Sequence, residues 1–261
     1  MRIDSAKSAQ VKHVAALQKK ARTRREEGCF VVEGIRMVAE APADRLEAVY
    51  ASDSFLSTGG AEKLSGISYI EVSDTAFKAM AETQTPQGVL AVVRMKPWEE
   101  REIYENPNAL LVILENLQDP GNLGTILRAG EGAGVTGVIM SRETVDIYNP
   151  KVIRSTMGSI YRVPFLITED LSAAMEQCHA SGIRTCAAHL DGTMEYDRAD
   201  YREKSAFLIG NEAAGLSDKL SGQADTLVKI PMMGQVESLN AAVAASVLLY
   251  EAARQRRNAV I

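Results

Sequence analysis

Residues 116–135 read NLQDPGNLGTILRAGEGAGV, directly after the apolar run ALLVILE at 109–115. A short apolar run of this kind reads as a buried strand, and LGTILRAGEGA (123–133) reads as the helix after it. Glycine between a strand and a helix often marks a phosphate or nucleotide site. The dinucleotide fingerprint, however, needs G-x-G-x-x-G where the strand meets the helix. Here Gly130, Gly132 and Gly134 have the wrong third spacing and fall at the helix end. Gly134 is read there as a C-cap, free to take positive φ. No GK[ST] is present, so a Walker-type loop is excluded. The segment at the strand end is QDPGNLG, with Asp119-Pro120-Gly121-Asn122 as a turn and Asn122 opening the helix. Arg128 follows six residues later and is expected on the same general side as Asn122. An amide and a guanidinium aimed past the carboxyl ends of strands suit a phosphate or a ribose. An ordinary cap beside a surface arginine satisfies the same residues.

Working outward, 109–261 alternates strands and helices. Strands are expected at 109–115, 136–141, 183–189, 205–210 and 226–231, and helices at 123–133, 150–158, 171–181 and 237–256. Asn149 before Pro150 is a cap followed by proline in the first turn. Apolar strands separated by helices predict a parallel sheet covered on both faces. Residues 1–95 form a smaller α/β domain. It has a helical pattern at 8–27, a new element at Phe30–Gly34, a helix at 74–83 capped by Asp74, and strands at 45–52, 67–72 and 88–94. Between the two lies KPWEEREIYENPN (96–108), polar and proline-bearing, which reads as a linker with few core contacts.

The chain has 261 residues, is 46% hydrophobic and carries a net charge of −5. It can bury ordinary cores, and its overall charge gives no sign of nucleic-acid binding. The charge is unevenly spread. Before residue 26 stand Arg2, Lys7, Lys12, Lys19, Lys20, Arg22, Arg24 and Arg25 against Asp4 alone, a local +7. Such a block attracts phosphates; a solvated helix face is the alternative. Cys29, Cys178 and Cys186 lack CxxC spacing and do not cluster with the three histidines, which argues against zinc or a disulfide scaffold and fits a reducing cytoplasm. MRIDSAKSAQ has no apolar signal-peptide region, and AAVAASVLLY is too short to span a membrane.

Two further segments repeat the arrangement of the first. FLIGNEAAGL (207–216) is a strand ending in Gly210-Asn211-Glu212, with a short helix expected next. IPMMGQVESLNAAVAAS (230–246) is a strand end, a glycine loop and a helix opening with Ser238, Leu239 and Asn240. Each places small or polar residues at a strand's carboxyl end, where an open α/β sheet binds ligands. Asn122 with Arg128, Glu212, and Ser238 with Asn240 are therefore expected to converge, although each alone is also a plausible cap or dipole partner.

In order and spacing, DPGNLGTILRAGEGAGV, FLIGNEAAGLS and IPMMGQVESLNAAVA resemble the three signature motifs of the SpoU (TrmH-like) branch of SPOUT RNA methyltransferases. KKARTRREEGCFVVEG and ETQTPQGVLAVV more weakly resemble the ribosomal-protein-like substrate-binding domain that often precedes that fold. The resemblance implies a deep trefoil knot, a homodimer with its active site at the interface, and S-adenosylmethionine held mainly by backbone groups. By motif position, Leu208, Gly210, Ile230, Met232 and Leu239 contact that cofactor. Transfer of methyl to a ribose 2′-hydroxyl of RNA falls to Arg128, with Asn122 orienting substrate and Glu212, Ser238 and Asn240 positioning ribose and cofactor. RNA contacts are expected from Lys19, Lys20, Arg22, Arg24, Arg25 and Arg154. The family often has glycine where this chain has Ala213, and valine and serine where it has Ala241 and Ala242; all are small. Two roles are open for Arg128: general base, or clamp for a phosphate and a developing alkoxide. The clamp is favoured because arginine's pKa exceeds about 12. Ribosomal RNA is the expected substrate. Transfer RNA and a non-catalytic RNA-binding or ribosome-assembly role are the alternatives; a nicotinamide enzyme fails on the glycine spacing.

Overall fold

The computed structural model describes residues 2–258; the outermost ends of the two expected domains, residue 1 and residues 259–261, lie outside them. The chain forms two compact units, Met1–Pro97 with Asp146–Tyr161, and Trp98–Val145 with Arg162–Ile261.

The first unit is built on a mixed five-stranded sheet of β1 (Arg2–Ile3), β2 (Cys29–Glu33), β3 (Leu46–Ser52), β4 (Ile70–Val72) and β5 (Val89–Arg94), in the order β1-β4-β3-β5-β2. The strands β1, β4 and β3 run parallel, while β5 is antiparallel to both β3 and β2. Val11, Val14 and Leu17 of the helix Ala9–Lys19 pack with Phe77 and Met80 of the helix Asp74–Met80 against Val31, Tyr50, Leu90 and Val92. Ser73, rather than Asp74, caps the second helix: its hydroxyl accepts from the Ala76 N–H, and Asp74 instead takes hydrogen bonds from Ser54. Two cap-forming residues in succession make that assignment ambiguous from sequence.

The helical pattern at 8–27 is two helices, Ala9–Lys19 and Ala21–Glu27, broken at an extended Lys20. The break lets Arg24 fold back. Its guanidinium donates to the Leu17 and Gln18 carbonyls at 2.7 and 3.0 Å and pairs with Asp146 at 2.5 Å. Those carbonyls belong to the last turn of the first helix, which has no intrahelical donors for them. Arg24 is 4% exposed, so the expectation that it contacts RNA is corrected: it is a helix cap and a buried ion-pair partner. The +7 block is also partly neutralised, since Arg2 pairs with Asp4 and Asp53, and Arg22 with Glu26. Lys19, Lys20, Arg22 and Arg25 stay exposed; Arg154 is half-buried and bonded to Glu82. Substituting Arg24→Ala is expected to lower unfolding free energy by about 2–3 kcal/mol, less than for a fully buried pair because Asp146 keeps some solvent. Denaturant titration reads this, and an unchanged midpoint would refute the capping role.

In the second unit a seven-stranded sheet comprises β6 (Leu110–Leu114), β7 (Gly137–Ser141), β8 (Phe165–Thr168), β9 (Arg184–Ala188), β10 (Met194–Glu195), β11 (Ser205–Ile209) and β12 (Thr226–Lys229). The order is β10-β12-β9-β11-β6-β7-β8, and every neighbouring pair is parallel. All residues of β6, β7 and β11 are buried, as a sheet covered on both faces requires. The helices Leu171–Ala180 and Asp218–Gln223 contribute to the core on one face. The helices Pro120–Ala133 and Ala241–Asn258 pack on each other, and the second also against β11. The stretch 96–108 departs from expectation. It carries the helix Glu100–Tyr104, opened by a capping box of Glu99 and Glu102, and Ile103 and Tyr104 are buried in this core.

Connectivity locates the crevice. From β6 the chain moves to β7 on one side, and from β11 it moves toward β12 on the other. Adjacent strands whose chains leave in opposite directions open a crevice at their carboxyl ends, where ligands bind in open α/β sheets.

Candidate active site

Two of the motif segments meet at this crevice. QDPGN follows β6 and GNE follows β11. Asp119 caps the helix Pro120–Ala133, accepting from the Asn122 N–H, with Pro120 in the first turn. Asn122 thus lies inside the first turn, three residues later than its expected place as cap. Asn122 is buried there. Beyond β11 the chain makes a turn closed by reciprocal backbone hydrogen bonds between Asn211 and Gly215, where a short helix was expected. Gly210 begins it. A β-carbon there would lie 2.1 Å from the Gly215 carbonyl carbon and 2.2 Å from the Leu216 nitrogen, so only glycine fits.

Glu212, on that turn, gathers the site. One carboxylate oxygen accepts from the Asp119 N–H at 2.9 Å and from Asn122 Nδ2 at 3.0 Å; the other accepts from the Gln118 N–H at 3.0 Å. Asn122 Oδ1 in turn accepts from Asn240 Nδ2 at 2.9 Å. Asn240, rather than Ser238, caps the C-terminal helix: Oδ1 takes the Ala242 and Val243 N–H groups. Glu212, Asn122 and Asn240 therefore form one hydrogen-bonded chain linking residues up to 118 positions apart. Partial burial opposes ionisation of Glu212. The Gln118 N–H, the Asn122 amide and the Asp119 N–H outweigh it and hold the carboxyl below its ordinary value. A carboxylate so occupied is a clamp and a poor proton acceptor at neutral pH.

Beside this chain lies a cleft of about 710 Å³, lined by Gly210, Ile230, Met232, Ser238 and Leu239 among others. Four of the five expected cofactor residues are thus brought together. The fifth, Leu208, is fully buried in the core, and its neighbour Ile209 lines the cleft instead. Ala213 and Ala241 also line the cleft, and the Ala213 and Ala242 N–H groups donate to Asn211 Oδ1 and Asn240 Oδ1. His189 and Asp191, from the loop after β9, and Glu195, from β10, line it too. They were not singled out from sequence, although β9 presents the same carboxyl end. The signal was Gly192, whose β-carbon would come within 2.8 Å of backbone at Val228 and Lys229.

Arg128 stands apart. It is exposed, does not line the cleft and has no hydrogen-bond partner among the described residues. Six residues at about 100° each carry it roughly 240° around the helix from Asn122, so the two do not share a side. Among the described residues, no group of three His, Cys, Asp or Glu is placed to hold a metal, and no helix is long and apolar enough to cross a membrane. Cys178 and Cys186 are buried with thiol pKa values pushed up by desolvation to about 12 and about 11.

A parallel sheet with an amide–carboxylate clamp at its switch point, beside a cleft, is an open α/β ligand-binding fold, and it matches the fold of solved SpoU methyltransferases. The chain belongs to the SpoU rRNA methylase family, whose model matches residues 109–250. An MRM3-like substrate-binding domain matches residues 8–91. The chain is 33% identical to the 23S rRNA (guanosine(2553)-2′-O)-methyltransferase RlmP of Bacillus subtilis, over 95% of this chain and 97% of that one. It is 32% identical to the 23S rRNA (uridine(2479)-2′-O)-methyltransferase of Streptomyces viridochromogenes, over 89% and 85%. The crystal structure of the SpoU methyltransferase AviRb from that organism, in complex with AdoMet, superposes with a TM-score of 0.86 at 28% identity, covering 96% of this chain and 99% of that one.

Proposed function

We propose that this protein transfers a methyl group from S-adenosylmethionine to a ribose 2′-hydroxyl of 23S-type ribosomal RNA. The observation that carries this reading is the Glu212–Asn122–Asn240 chain at the mouth of the cleft. It unites all three motif segments, which a non-catalytic descendant of the fold would have no need to keep. Relatives that match nearly the full length, N-terminal unit included, act on 23S rRNA, and this favours ribosomal over transfer RNA.

The cleft suits the cofactor. Its volume is that of a small-molecule site, and a side chain at Gly210 would collide with the turn and force it open. Gly210, Ile230, Met232 and Leu239 would hold the cofactor, with Ile209 taking the place expected for Leu208. When bound, S-adenosylmethionine supplies an electrophilic methyl group on a sulfonium. The chain's own residues supply position. Glu212 fixes the Asn122 amide, Asn240 fixes its other end, and the ribose is oriented by this pair and Ser238. Such positioning is worth about 7–11 kcal/mol of barrier in favourable cases. Arg128 stabilises the developing alkoxide and holds an adjacent phosphate, and the proton leaves to water.

A homodimer with the active site at its interface accounts for Arg128 being exposed and outside its own chain's cleft. Val243 and Tyr250, seven residues apart on the C-terminal helix, are 48% and 53% exposed and offer an apolar seam for it. The trefoil knot is supported by the path of the chain. From β12, two strands beyond β11, it returns to bond Asn122 and to pack on the helix Pro120–Ala133. Free cysteines and an rRNA substrate fit a cytoplasmic enzyme. Ribose-methylation mapping of rRNA and tRNA from cells lacking the gene tests the substrate. Loss of one 23S-type rRNA ribose methylation is expected; loss at a tRNA ribose alone would overturn the rRNA reading.

The exposed Lys19, Lys20, Arg22 and Arg25 bind RNA phosphates in this reading. Replacing all four with alanine is expected to lower the slope of log K against log salt by roughly 3, at about 0.7 per phosphate contact on single strands. S-adenosylmethionine affinity should not change. An unaltered slope in salt titrations would remove this block from RNA binding.

A further inference from the structure

We propose that Asn116 is a positioning residue for the reaction, holding the Glu212 turn and the segment that grips the Glu212 carboxylate in one register. This rests on the function proposed above.

Asn116 is one of two described non-glycine residues with positive φ, at 54°. A left-handed asparagine costs less than most residues there but still needs local hydrogen bonds to hold it. It has them on every side. Its N–H donates to Ser141 Oγ at 2.9 Å, and the same hydroxyl donates to Asn116 Oδ1 at 2.8 Å. Ser141 is a buried residue at the end of β7, so Asn116 is tied to the sheet itself.

The left-handed bend aims the Asn116 carbonyl back toward β11. That oxygen accepts from Asn211 Nδ2 at 2.8 Å and from Gln118 Nε2 at 3.0 Å. The two donors lead to the catalytic clamp by separate routes. Asn211 Oδ1 accepts from the Ala213 and Ala214 N–H groups, and its backbone closes the turn on Gly215; Glu212 lies within that turn. Gln118 Nε2 also reaches the Glu143 carbonyl, while the Gln118 N–H is one of the three groups holding Glu212. One carbonyl thus fixes both the element carrying the carboxylate and an element donating to it. In an extended backbone that carbonyl points elsewhere and both ties are lost together. Asn116 has no place in the proposed chemistry: it does not line the cleft and does not touch Glu212, Asn122 or Asn240.

Loss of this node lets Glu212 and Asn122 drift, and misplacement of about 1 Å is enough to cost about 10²-fold in rate. Purified full-length Asn116→Ala, Asn116→Asp and Ser141→Ala proteins are compared with wild type on rRNA transcript. Active sites are counted by S-adenosylmethionine titration in a calorimeter. Asn116→Ala is expected to lower kcat per cofactor-binding site by about 10²-fold, with KM for RNA within about twofold. Asn116→Asp keeps the acceptor for Ser141 and the tolerance for positive φ, and should return kcat to within about fivefold of wild type. Ser141→Ala, which removes the tie with little change in volume, should repeat the kcat loss in a folded protein and stands in if Asn116→Ala does not fold. A purely structural Asn116 instead gives fewer binding sites at unchanged kcat per site, and that result overturns the proposal. Equal activity of the alanine and aspartate variants also overturns it. Failure of the wild type itself to methylate RNA ribose would refute the proposed function, a separate outcome.

Discussion

Arg128→Ala is expected to lower methylation by about 10³-fold or more while S-adenosylmethionine affinity stays within about twofold. The exposed guanidinium has no hydrogen-bond partner among the described residues, so its removal is expected to disturb neither the helix Pro120–Ala133 nor the cleft. In the proposed mechanism, what is lost is a fixed positive charge at the reacting oxygen. Removing one such stabilising donor elsewhere costs about 10²–10³ in kcat, and loss of a full charge belongs at or above the top of that range. Methyl transfer to rRNA transcript and cofactor calorimetry, run on one preparation, measure the two effects. Activity within tenfold of wild type, about 1.4 kcal/mol, would remove Arg128 from the chemistry. A parallel loss of cofactor affinity would instead make it part of the cleft.

The second large effect is expected at Gly210. Gly210→Ala places a methyl group 2.1–2.3 Å from backbone atoms of Gly215 and Leu216. Backbone cannot swing aside as a long side chain does, so the Asn211–Gly215 turn must open. Overpacking of this kind costs about 1–3 kcal/mol, or more where backbone is the obstacle. The turn lines the cleft and carries Glu212, so the cost falls on both cofactor and clamp. S-adenosylmethionine binding is expected to weaken by about a hundredfold and methylation to fall further. Far-ultraviolet circular dichroism should change little, because the turn belongs to no helix or strand. Wild-type cofactor affinity in this variant would show that the close approach at Gly210 does not shape the site.

Much of this site was legible in sequence because its information is local. Three polar segments each stand just beyond an apolar run, and strand polarity in a parallel sheet sends all such ends the same way. Hence Asn122, Glu212 and Asn240 were expected to converge, and they form one hydrogen-bonded chain. The cap at Asn149 with Pro150 and the left-handed Gly134 were legible for the same reason. What escaped depends on partners far along the chain. Arg24 looks like one more basic residue until Asp146, 122 positions away, buries it. β8 and β10 are four- and two-residue strands with exposed positions, too short and mixed for a period to register. The helix Glu100–Tyr104 did carry a local sign, glutamates three apart at 99 and 102, but the surrounding charge and prolines masked it. The orientation of Arg128 was a matter of helical phase, and six residues do not close a whole number of turns.

The first unit takes its residues from two stretches of chain, and this sets an order for its synthesis. When residue 97 has left the ribosome, its five strands exist but the unit is unfinished. Arg24 has its two carbonyls and no carboxylate, and Phe30 lacks Tyr148, whose ring lies 4.8 Å from its own. The Met37 carbonyl likewise waits for the Tyr161 hydroxyl. About sixty further residues must be made first, roughly 3–13 s at 5–20 residues per second. Through that interval Phe30 lacks the rings of Tyr148 and Tyr161 that lie against it in the finished unit. Its final consolidation waits for residues 146–161 to leave the ribosome, so a pause once they have emerged would favour its closure and a pause before that would prolong the exposure.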